Sequence, residues 1–595
     1  MEPKSISILV LLVLAAAAAA TQPLLTTVTG KLMGVKEAIH GKTVNSYLGV
    51  PYAEPPTGQR RFMKPIPLLP TPGVFNATRI PPLCMRPSRM ELKMSEDCLY
   101  LNLWIPSKPD GNPEQMKAAR GMNVPIVVYI PSFDQIIIPD GAEFAARNDV
   151  AFISLNYRVG ALGFLFSGSP EAPGNAGLYD ILEALRWVKL NSRLFGGNPG
   201  DITLWAKGEG AAVAAVLMTS PMTKDLFQKI IFESGSVHTS RNSFKTNSEA
   251  VTSRLLVNAG CFNYSKTWES QRDEAIRCLK VVHPEVIIGS QNFEPDAFQP
   301  VIGDSLIPDE PFQGDRQHFT NPYQLFILMK DDESDPTLTD LLRSQPGSVD
   351  TTSDCKHVLR TFLRTSLNIP LNFVDKLLLR YKRDIQDARE LCRQVFTDAY
   401  FMCPVKIFAD VLSGMRDTSS VLFAKRSSLV DEFELSGDVD EKLLDILGRF
   451  VKTGVPKIPG KDVDWPKFSS DSPQVIYLQP GNITVGPFDR TELCQLWEPF
   501  IVNSRTQSDE DDDIDIVANP EKAGETNSMV VATTSKTVKV SHAPTSRQKS
   551  AKQGQLSSNE TRNGGGSTDV HHLGLLTALS LSLTCRWMWT RKTYQ

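Results

Sequence analysis

The stretch from Ile202 to Ala212 has the order of an apolar strand, a tight turn and a helix of small residues, with Gly208 at the centre of the turn. Acyl-transfer enzymes use such a strand–turn–helix to present a nucleophilic serine above the edge of a sheet. Glycine has no side chain, so Gly208 cannot attack a carbonyl carbon. The segment therefore predicts the backbone of a nucleophile-bearing turn without its nucleophile.

The elements that must hold this turn alternate between strands and helices along residues 27–502. Helical stretches such as Leu178 to Leu190 and Ala388 to Leu412 separate strand-length runs rich in β-branched and aromatic residues. This alternation favours an α/β fold with a mostly parallel central sheet and helices on both faces. The binding crevice of such a sheet lies beyond the carboxyl ends of its strands. The predicted strands are Pro125 to Ile130, Val150 to Tyr157, Ile202 to Ala206, Lys229 to Glu233, Tyr323 to Met329, Val421 to Ala424 and Val475 to Leu478.

The composition of the 595 residues, with a net charge of -4, is ordinary for a globular protein. Basic residues form no large cluster, and nucleic-acid binding depends on neutralising phosphates. We therefore expect no nucleic acid as a partner. The nine cysteines are scattered singly, without the Cys-x-x-Cys pairs of zinc or redox sites, and no cofactor is expected.

Residues 1–20 have the order of a secretory signal peptide. Lys4 precedes the apolar run Ile6 to Leu14, and alanines from Ala15 to Ala20 precede the expected cleavage. A buried or membrane-spanning helix is the alternative, but the apolar part is short. A secreted chain enters a compartment where cysteines pair and Asn-x-Ser/Thr sequons carry glycans. The expected glycan acceptors are Asn76, Asn263, Asn482 and Asn559.

The composition changes after Val502. The acidic run Ser508 to Asp513 leads into a stretch rich in Ser, Thr, Lys and Gly and almost free of aromatic residues. Such a stretch cannot bury enough apolar surface to fold. We interpret residues 504–570 as a flexible, glycosylated stalk, with the acidic run a solvated spacer rather than a metal site.

Residues 571–595 form a hydrophobic tail that includes Leu573 to Cys585. Small residues from Asn563 to Ser567 and a polar spacer precede it, which is the order of a glycolipid-anchor signal with Asn563 as the attachment residue. A transmembrane helix is the alternative, but the apolar run is shorter than the ~20 residues that a bilayer needs. Both alternatives tether the chain to the extracellular face of the plasma membrane.

Four motifs resemble, in the same order, those of the type-B carboxylesterase and cholinesterase family. The resemblance covers residues 21–503 and implies the α/β-hydrolase fold. The motifs are Tyr47 to Pro56 (YLGVPYAEPP), Ser95 to Asn102 (SEDCLYLN), Asn156 to Phe164 (NYRVGALGF) and Gly174 to Asp180 (GNAGLYD).

The same resemblance implies a set of disulfide bonds. It pairs Cys84 with Cys98, Cys261 with Cys278 and Cys403 with Cys494. Cys355 and Cys392 are left as a further pair that the family does not support. The loop between Cys84 and Cys98 has no tryptophan to offer a cation–π face, so the binding of choline esters is disfavoured.

The family's catalytic groups can be located by the same resemblance. Gly208 is at the nucleophile position, and Glu333, within Lys330 to Ser334, is at the acid position. The base position lies in a region, residues 359–541, that contains no histidine. With no imidazole to orient, we interpret Glu333 as a structural remnant, hydrogen-bonded or paired with a cation.

The family's oxyanion loop, His-Gly-Gly-Gly, is replaced here by Pro131 to Asp134. Glycines let backbone amides approach a substrate closely, whereas proline has no N–H and a fixed φ. We therefore expect no esterase activity. An enzyme with relocated machinery is the alternative, which covalent labelling of a defined serine would reveal.

The chain resembles in particular the cholinesterase-like adhesion molecules, such as the neuroligins, in which glycine can also occupy the nucleophile position. This implies a non-catalytic cell-surface protein that recognises an extracellular or cell-surface protein, and a homodimer through a four-helix bundle made by the helix before Cys403 and the helix from Cys494 to Val502. The alternative is a protein that binds and sequesters small molecules or esters in the former active-site gorge. Whether Phe133 and its neighbours fill that gorge separates the two hypotheses.

Overall fold

A computed structural model gives the fold of residues 22–87, 92–107, 123–133, 140–238, 249–291, 298–312, 322–330, 357–360, 363–364, 369–415, 418–426, 441–457, 464–479 and 482–502. The predicted signal peptide, stalk and tail lie outside these residues, as do Glu333, Asn559 and Asn563. Among the helices within these ranges, none is long and apolar enough to cross a membrane.

The strands are, in chain order, β1 (Leu24–Thr27), β2 (Gly30–Met33), β3 (Val35–Ile39), β4 (Lys42–Pro51), β5 (Val74–Asn76), β6 (Leu83–Cys84), β7 (Met94–Ser95), β8 (Tyr100–Ser107), β9 (Val124–Ile130), β10 (Ala151–Leu155), β11 (Phe166–Ser169), β12 (Ala172–Pro173), β13 (Gly197–Lys207), β14 (Lys229–Glu233), β15 (Tyr323–Lys330), β16 (Thr418–Arg426), β17 (Gln474–Gln479) and β18 (Asn482–Pro487).

The helices are α1 (Ala142–Asn148), α2 (Gly160–Phe164), α3 (Ala176–Asn191), α4 (Glu209–Thr219), α5 (Glu249–Asn258), α6 (Trp268–Val281), α7 (Pro284–Ser290), α8 (Leu371–Tyr381), α9 (Ala388–Thr397), α10 (Cys403–Gly414), α11 (Glu441–Thr453) and α12 (Thr491–Val502). Short 3₁₀ turns occupy Gly58–Arg60, Ser192–Phe195 and Pro221–Thr223, and a π-helical turn occupies Asp398–Met402.

An 11-stranded sheet has the order β18-β17-β16-β15-β14-β13-β9-β10-β8-β4-β3. Its middle, from β17 to β10, is parallel. The pairs at its two ends are antiparallel. These are β18 with β17 at one end, and β10 with β8, β8 with β4 and β4 with β3 at the other. The mostly parallel sheet of an α/β fold is therefore confirmed. A separate sheet has the order β1-β2-β5.

The centre of the large sheet is buried because its strands are apolar on both faces. Residues Ile202 to Ala206 of β13 are all buried. On one face, Trp205 packs edge-on against Phe144 of α1 and Tyr129 of β9, with ring centroids 5.5 and 5.9 Å apart. Helices α1 and α11 cover this face of the sheet. The packing fixes the position at which β13 ends, and hence the position of the turn that follows it.

All seven predicted strands are present, most of them longer than the sequence indicated. The predicted helix Ala388 to Leu412 is instead α9, the π-helical turn and α10 in succession. The sequence pattern did not predict the antiparallel strands at the two ends of the sheet. Strands β3 and β18 have no buried residue, so they lack the continuous apolar runs of the buried parallel strands. Strand β8 was also not predicted, although it is buried from Leu101 to Pro106.

The structure contains the three disulfide bonds that the resemblance implies. Their Cα–Cα distances are 5.0 Å for Cys84–Cys98, 5.7 Å for Cys261–Cys278 and 4.9 Å for Cys403–Cys494. The last bridge spans 91 residues, and closing so long a loop stabilises the fold by roughly 4–5 kcal/mol on the chain-entropy model. Cys392 is also disulfide-bonded, whereas Cys355 lies outside the described residues.

Candidate functional site

The turn from Lys207 to Glu209, called the Gly208 turn below, joins the carboxyl end of β13 to the amino end of α4. Gly208 has φ 55° and ψ −124°, a conformation that residues with a side chain rarely adopt. Its N–H donates a hydrogen bond of 2.9 Å to the carbonyl of Glu233 at the end of β14. The sharp turn predicted from the sequence is therefore present, and it is fixed to the neighbouring strand.

Two further glycines let the backbone pack closely around this turn. A Cβ at position 210 would lie 2.6 Å from the carbonyl oxygen of Ile130, which is shorter than any normal contact. A Cβ at position 235 would overlap the carbonyl oxygen of Gly208. The backbone of β9 and the segment after β14 therefore press directly on the Gly208 turn.

The side chain of Ser132 occupies the space beside Gly208. A Cβ at position 208 would lie 2.8 Å from Ser132 Oγ and 3.1 Å from Ser132 Cβ. The Ser132 hydroxyl donates a hydrogen bond to Glu209 Oε2, at the first position of α4. A side chain at position 208 would therefore require Ser132 to move. No role for Ser132 was predicted from the sequence. Its position just after β9, at the carboxyl edge of the sheet, could have indicated that it lies near the turn.

Charged groups next to the Gly208 turn pair with one another. The Glu233 carboxylate is fully buried and lies 3.0 Å from Lys207 Nζ and 3.7 Å from Arg426 Nη2. The indole N–H of Trp205 donates a 2.7 Å hydrogen bond to its other oxygen. A buried carboxylate needs such partners to offset the cost of removing it from water. This cluster was not predicted from the sequence, although Lys207 and Glu209 flank Gly208.

The segment that replaces the family's oxyanion loop is held by aromatic packing and hydrogen bonds. The ring of Phe133 lies 5.5 Å from that of Phe164 and 6.0 Å from that of Tyr157. The Tyr157 hydroxyl donates to the Pro131 carbonyl at 2.7 Å, and Arg86 Nη1 donates to the Phe133 carbonyl at 3.0 Å. The carbonyls of Pro131 and Phe133 are thus engaged, and the Phe133 side chain packs inward.

A histidine that follows the neighbouring strand, His238, lies five residues after the end of β14. Its ring packs edge-on against Phe408 of α10, with centroids 6.3 Å apart. His238 therefore packs against a helix of the domain.

Position 333, the family's acid position, lies outside the described residues, three residues after the end of β15. The role expected for Glu333 therefore stays a prediction.

A small cavity lies beside the Cys84–Cys98 disulfide and is lined in part by Arg61, Glu96 and Arg158. Arg61 makes two hydrogen bonds to the Glu96 carboxylate, of 2.6 and 2.5 Å. Arg158 likewise makes bonds of 2.8 and 2.6 Å to Asp180. The residues that line this cavity do not include those of the Gly208 turn, so the two sites are separate. The Arg61–Glu96 pair holds the loop between the two cysteines against the rest of the fold, because Arg61 also donates to the carbonyls of Leu279 and Val282.

The three described sequon asparagines, Asn76, Asn263 and Asn482, are all exposed. The Thr78 hydroxyl donates a 2.8 Å hydrogen bond to Asn76 Oδ1, and the Ser265 N–H donates one of 2.9 Å to Asn263 Oδ1. Each position is accessible to a glycan, since that bulky group requires an exposed side chain. Glycosylation at these positions stays a prediction.

The sheet order, the Gly208 turn and the three disulfides define an α/β-hydrolase fold. The profile of the Carboxylesterase family matches residues 21–432, which is more than half of the chain. The chain belongs to the carboxylesterase family.

Similar proteins include cholinesterases and a neuroligin. Acetylcholinesterase-1 of Trittame loki is 28% identical over 554 residues, covering 80% of this chain and 94% of the relative. Cholinesterase of Mus musculus is 29% identical over 542 residues, covering 80% and 86% respectively. Neuroligin-2 of Mus musculus is 32% identical over 334 residues, covering 49% of this chain and 39% of the relative. The resemblance to cholinesterases, inferred from the four motifs, and the resemblance to neuroligins, inferred from Gly208, are therefore confirmed.

Proposed function

We propose that this protein is a non-catalytic member of the carboxylesterase family that acts at the cell surface in protein recognition or cell adhesion. The observation that carries the proposal is the Gly208 turn: its centre has no side chain, and Ser132 fills the adjacent space. The turn keeps the backbone that would present a nucleophile, but the groups around it pair with one another.

The size of the expected loss supports the absence of catalysis. In the serine protease subtilisin, loss of the nucleophile alone lowers turnover about a million-fold. Loss of one oxyanion donor lowers turnover by roughly a hundred- to a thousand-fold. Gly208 lacks the nucleophile, and the segment that begins at Pro131 lacks the oxyanion donors. With both losses, the remaining ester hydrolysis falls to background.

Surface features support the cell-surface part of the proposal. The three described sequon asparagines are exposed, and disulfides of this kind form in the secretory pathway. Neuroligin-2 is among the similar proteins. The glycolipid anchor at Asn563, the stalk and the four-helix-bundle dimer remain predictions. Light scattering on the purified full-length chain tests the dimer, and release from cells by a phospholipase that cleaves glycolipid anchors tests the anchor.

Phe133 bears on the alternative, a small-molecule binder that uses the former gorge. Its ring packs against Phe164 and Tyr157, and Ser132 fills the space beside Gly208. These contacts favour a filled site over an open one. We therefore place recognition on the outer surface of the domain.

The catalytic part of the proposal is tested by ester hydrolysis and by labelling with an organophosphate. Wild type, Gly208→Ser and the double variant Gly208→Ser with Ser132→Gly are compared as full-length proteins. We expect hydrolysis of a short-chain aryl ester at background in all three. Turnover by the wild type, or organophosphate attached to Ser132, would show that the chain is an enzyme with relocated machinery.

The recognition part is tested separately on cells. Cells that display the full-length chain are mixed with unmodified cells and with cells of neighbouring types, and clustering is counted. We expect the displaying cells to cluster. Release of the anchor should abolish this clustering, and Gly208→Ser should leave it unchanged. Displaying cells that neither cluster nor bind any cell type would reject the adhesion role.

A further inference from the structure

Each of the four family motifs contributes a residue to the cavity beside the Cys84–Cys98 disulfide or to the ion pair next to it. Pro56 ends the first motif, Glu96 belongs to the second and Arg158 to the third, and all three line the cavity. Asp180 ends the fourth motif and pairs with Arg158. The motifs therefore meet at a second place in the fold, for which the missing nucleophile gives no explanation.

One guanidinium nitrogen of Arg158 remains available at this cavity. Nε and Nη2 donate to the two oxygens of Asp180, at 2.8 and 2.6 Å. Because the guanidinium group is a planar fork, Nη1 points away from that carboxylate. Nη1 is buried without a hydrogen-bond partner among the described residues, and the side chain is only 3% exposed. Leaving a buried donor unpaired is costly, so this nitrogen needs an acceptor.

The same cavity offers capacity to accept a hydrogen bond. Both oxygens of Glu96 accept from Arg61, at 2.6 and 2.5 Å. A carboxylate has about four lone-pair sites, so Glu96 can accept further hydrogen bonds. Arg61 Nη1, in contrast, already donates to the carbonyls of Leu279 and Val282. The unused donor therefore belongs to Arg158, and the unused acceptor capacity belongs to Glu96.

Size and charge select the ligand that fits between these two groups. The cavity has a volume of about 10 Å³, which is enough for one water molecule. A cation there would meet the N–H groups of Arg158, and an anion would meet the Glu96 carboxylate. A water molecule can accept from the first and donate to the second, and buried waters typically bond to about two to four polar groups.

We propose that one buried water molecule occupies this cavity, where it accepts a hydrogen bond from Arg158 Nη1 and donates one to the Glu96 carboxylate. The water joins the Arg61–Glu96 pair, which holds the disulfide loop, to the Arg158–Asp180 pair, which lies on α3. Through it, all four motifs become parts of one hydrogen-bonded network. The proposal does not depend on the proposed function.

The direct test is a crystal structure of the full-length glycosylated chain, from crystals grown with sodium chloride and with sodium bromide. In both we expect one ordered water within hydrogen-bond distance of Arg158 Nη1 and of Glu96. An anomalous bromide signal in the cavity would overturn the proposal in favour of an anion site. A cavity without ordered density, or a direct hydrogen bond from Nη1 to a protein oxygen, would also overturn it.

Leu162, which lines the cavity and is 3% exposed, provides a test in solution. Leu162→Met places a longer side chain at the cavity and displaces the water, which leaves Arg158 Nη1 unpaired. Arg158→Lys keeps a cation for Asp180 but has no Nη1, so the same exchange has less to disrupt. We expect Leu162→Met to lower the melting temperature by a few degrees in the wild type and by clearly less in Arg158→Lys.

The matched control is Leu182→Met, at a fully buried position of α3 that is not among the residues lining the cavity. It measures the general cost of exchanging leucine for methionine and should shift the melting temperature equally in both backgrounds. If Leu162→Met also shifted both backgrounds equally, no water would link it to Arg158. The crystallographic test does not require that Arg158→Lys folds. None of these readouts depends on ester hydrolysis or on cell clustering.

Discussion

The Gly208 turn and the helices that meet at Asp398 both bury charged groups, but the two regions differ in what those groups hold together. At the turn, buried Glu233 pairs with Lys207, whose side chain is 35% exposed. In the helical region, fully buried Asp398 accepts hydrogen bonds from Tyr381 at 2.6 Å, from Arg490 at 3.0 Å and from Gln394 at 3.0 Å.

The Asp398 cluster joins α8, α9, the π-helical turn and the start of α12, next to the Cys403–Cys494 bridge. The cluster around the turn instead lies at the carboxyl edge of the sheet, where α/β proteins place their chemistry. The Asp398 cluster holds these helices together. At the turn, Glu233 pairs with Lys207, and the Ser132 side chain fills the space beside Gly208. Substitutions should therefore affect the two regions to different degrees.

The largest effect is expected for Arg490→Met, which leaves the buried Asp398 carboxylate without its cation. Removing one partner of a buried ion pair costs about 3 kcal/mol or more of folding free energy. The matched control is Arg380→Met, which breaks a 2.8 Å pair with Asp384, a side chain that is 68% exposed. Exposed pairs contribute under about 1 kcal/mol. Urea unfolding at neutral pH measures both, and equal losses would contradict a structural role for the Asp398 cluster.

A smaller loss of folding free energy is expected for Gly208→Ser, because the backbone at position 208 has a positive φ and Ser132 fills the adjacent space. Strain of this kind costs about 1–3 kcal/mol. Adding Ser132→Gly should recover part of that loss, so the two changes will not be additive. A double-mutant cycle by urea unfolding measures the coupling, expected at about 1 kcal/mol. Strict additivity would show that the Ser132 side chain does not restrict position 208.

The pH dependence of stability should distinguish Asp398 from other carboxylates. Burial raises the pKa of the Asp398 carboxyl above its ordinary value, although Arg490, Tyr381 and Gln394 oppose the shift. The folded chain therefore keeps a proton that the unfolded chain loses, and this stabilisation falls as pH rises through the raised pKa. Asp398→Asn has no such proton. We expect the melting temperature of the wild type to fall relative to Asp398→Asn as pH rises; a constant difference would contradict this.

The smallest effect is expected for Lys207→Met at the Gly208 turn. Glu233 keeps Trp205 and Arg426 as partners, and the Lys207 side chain is partly exposed. The loss should be about 1 kcal/mol or less. Arg426→Met, which removes a cation only 3% exposed, should cost more. If Lys207→Met were the costlier change, the Lys207 contact would be the main support of the Glu233 carboxylate.

Much of the fold could be predicted from the sequence because its signals are local. Continuous apolar runs indicated β9, β10 and β13 to β17, and the glycine-centred turn after β13 was predicted at its actual place. The π-helical turn at Asp398–Met402 could not be predicted in this way. Its residues continue an ordinary helical pattern, and the partners of Asp398 come from Tyr381, Gln394 and Arg490.

The candidate site was predicted only in part. Gly208 was found because its own residue type decides whether a nucleophile exists. Ser132, Lys207 and Glu233 were missed because their roles depend on neighbours from β9, β13 and β14. Glu333, which the family resemblance placed at the acid position, lies outside the described residues.

Residue identity and local pattern were enough to predict the family, the α/β architecture and the absence of a side chain at position 208, because none of these needs knowledge of distant contacts. The cysteine pairs of the three disulfides followed only from the family resemblance. Two other facts came only from the folded chain: Ser132 fills the space beside Gly208, and Glu233 pairs with Lys207 and Arg426. They depend on which strands become neighbours, and strand order is set by packing of the whole sheet rather than by any single segment.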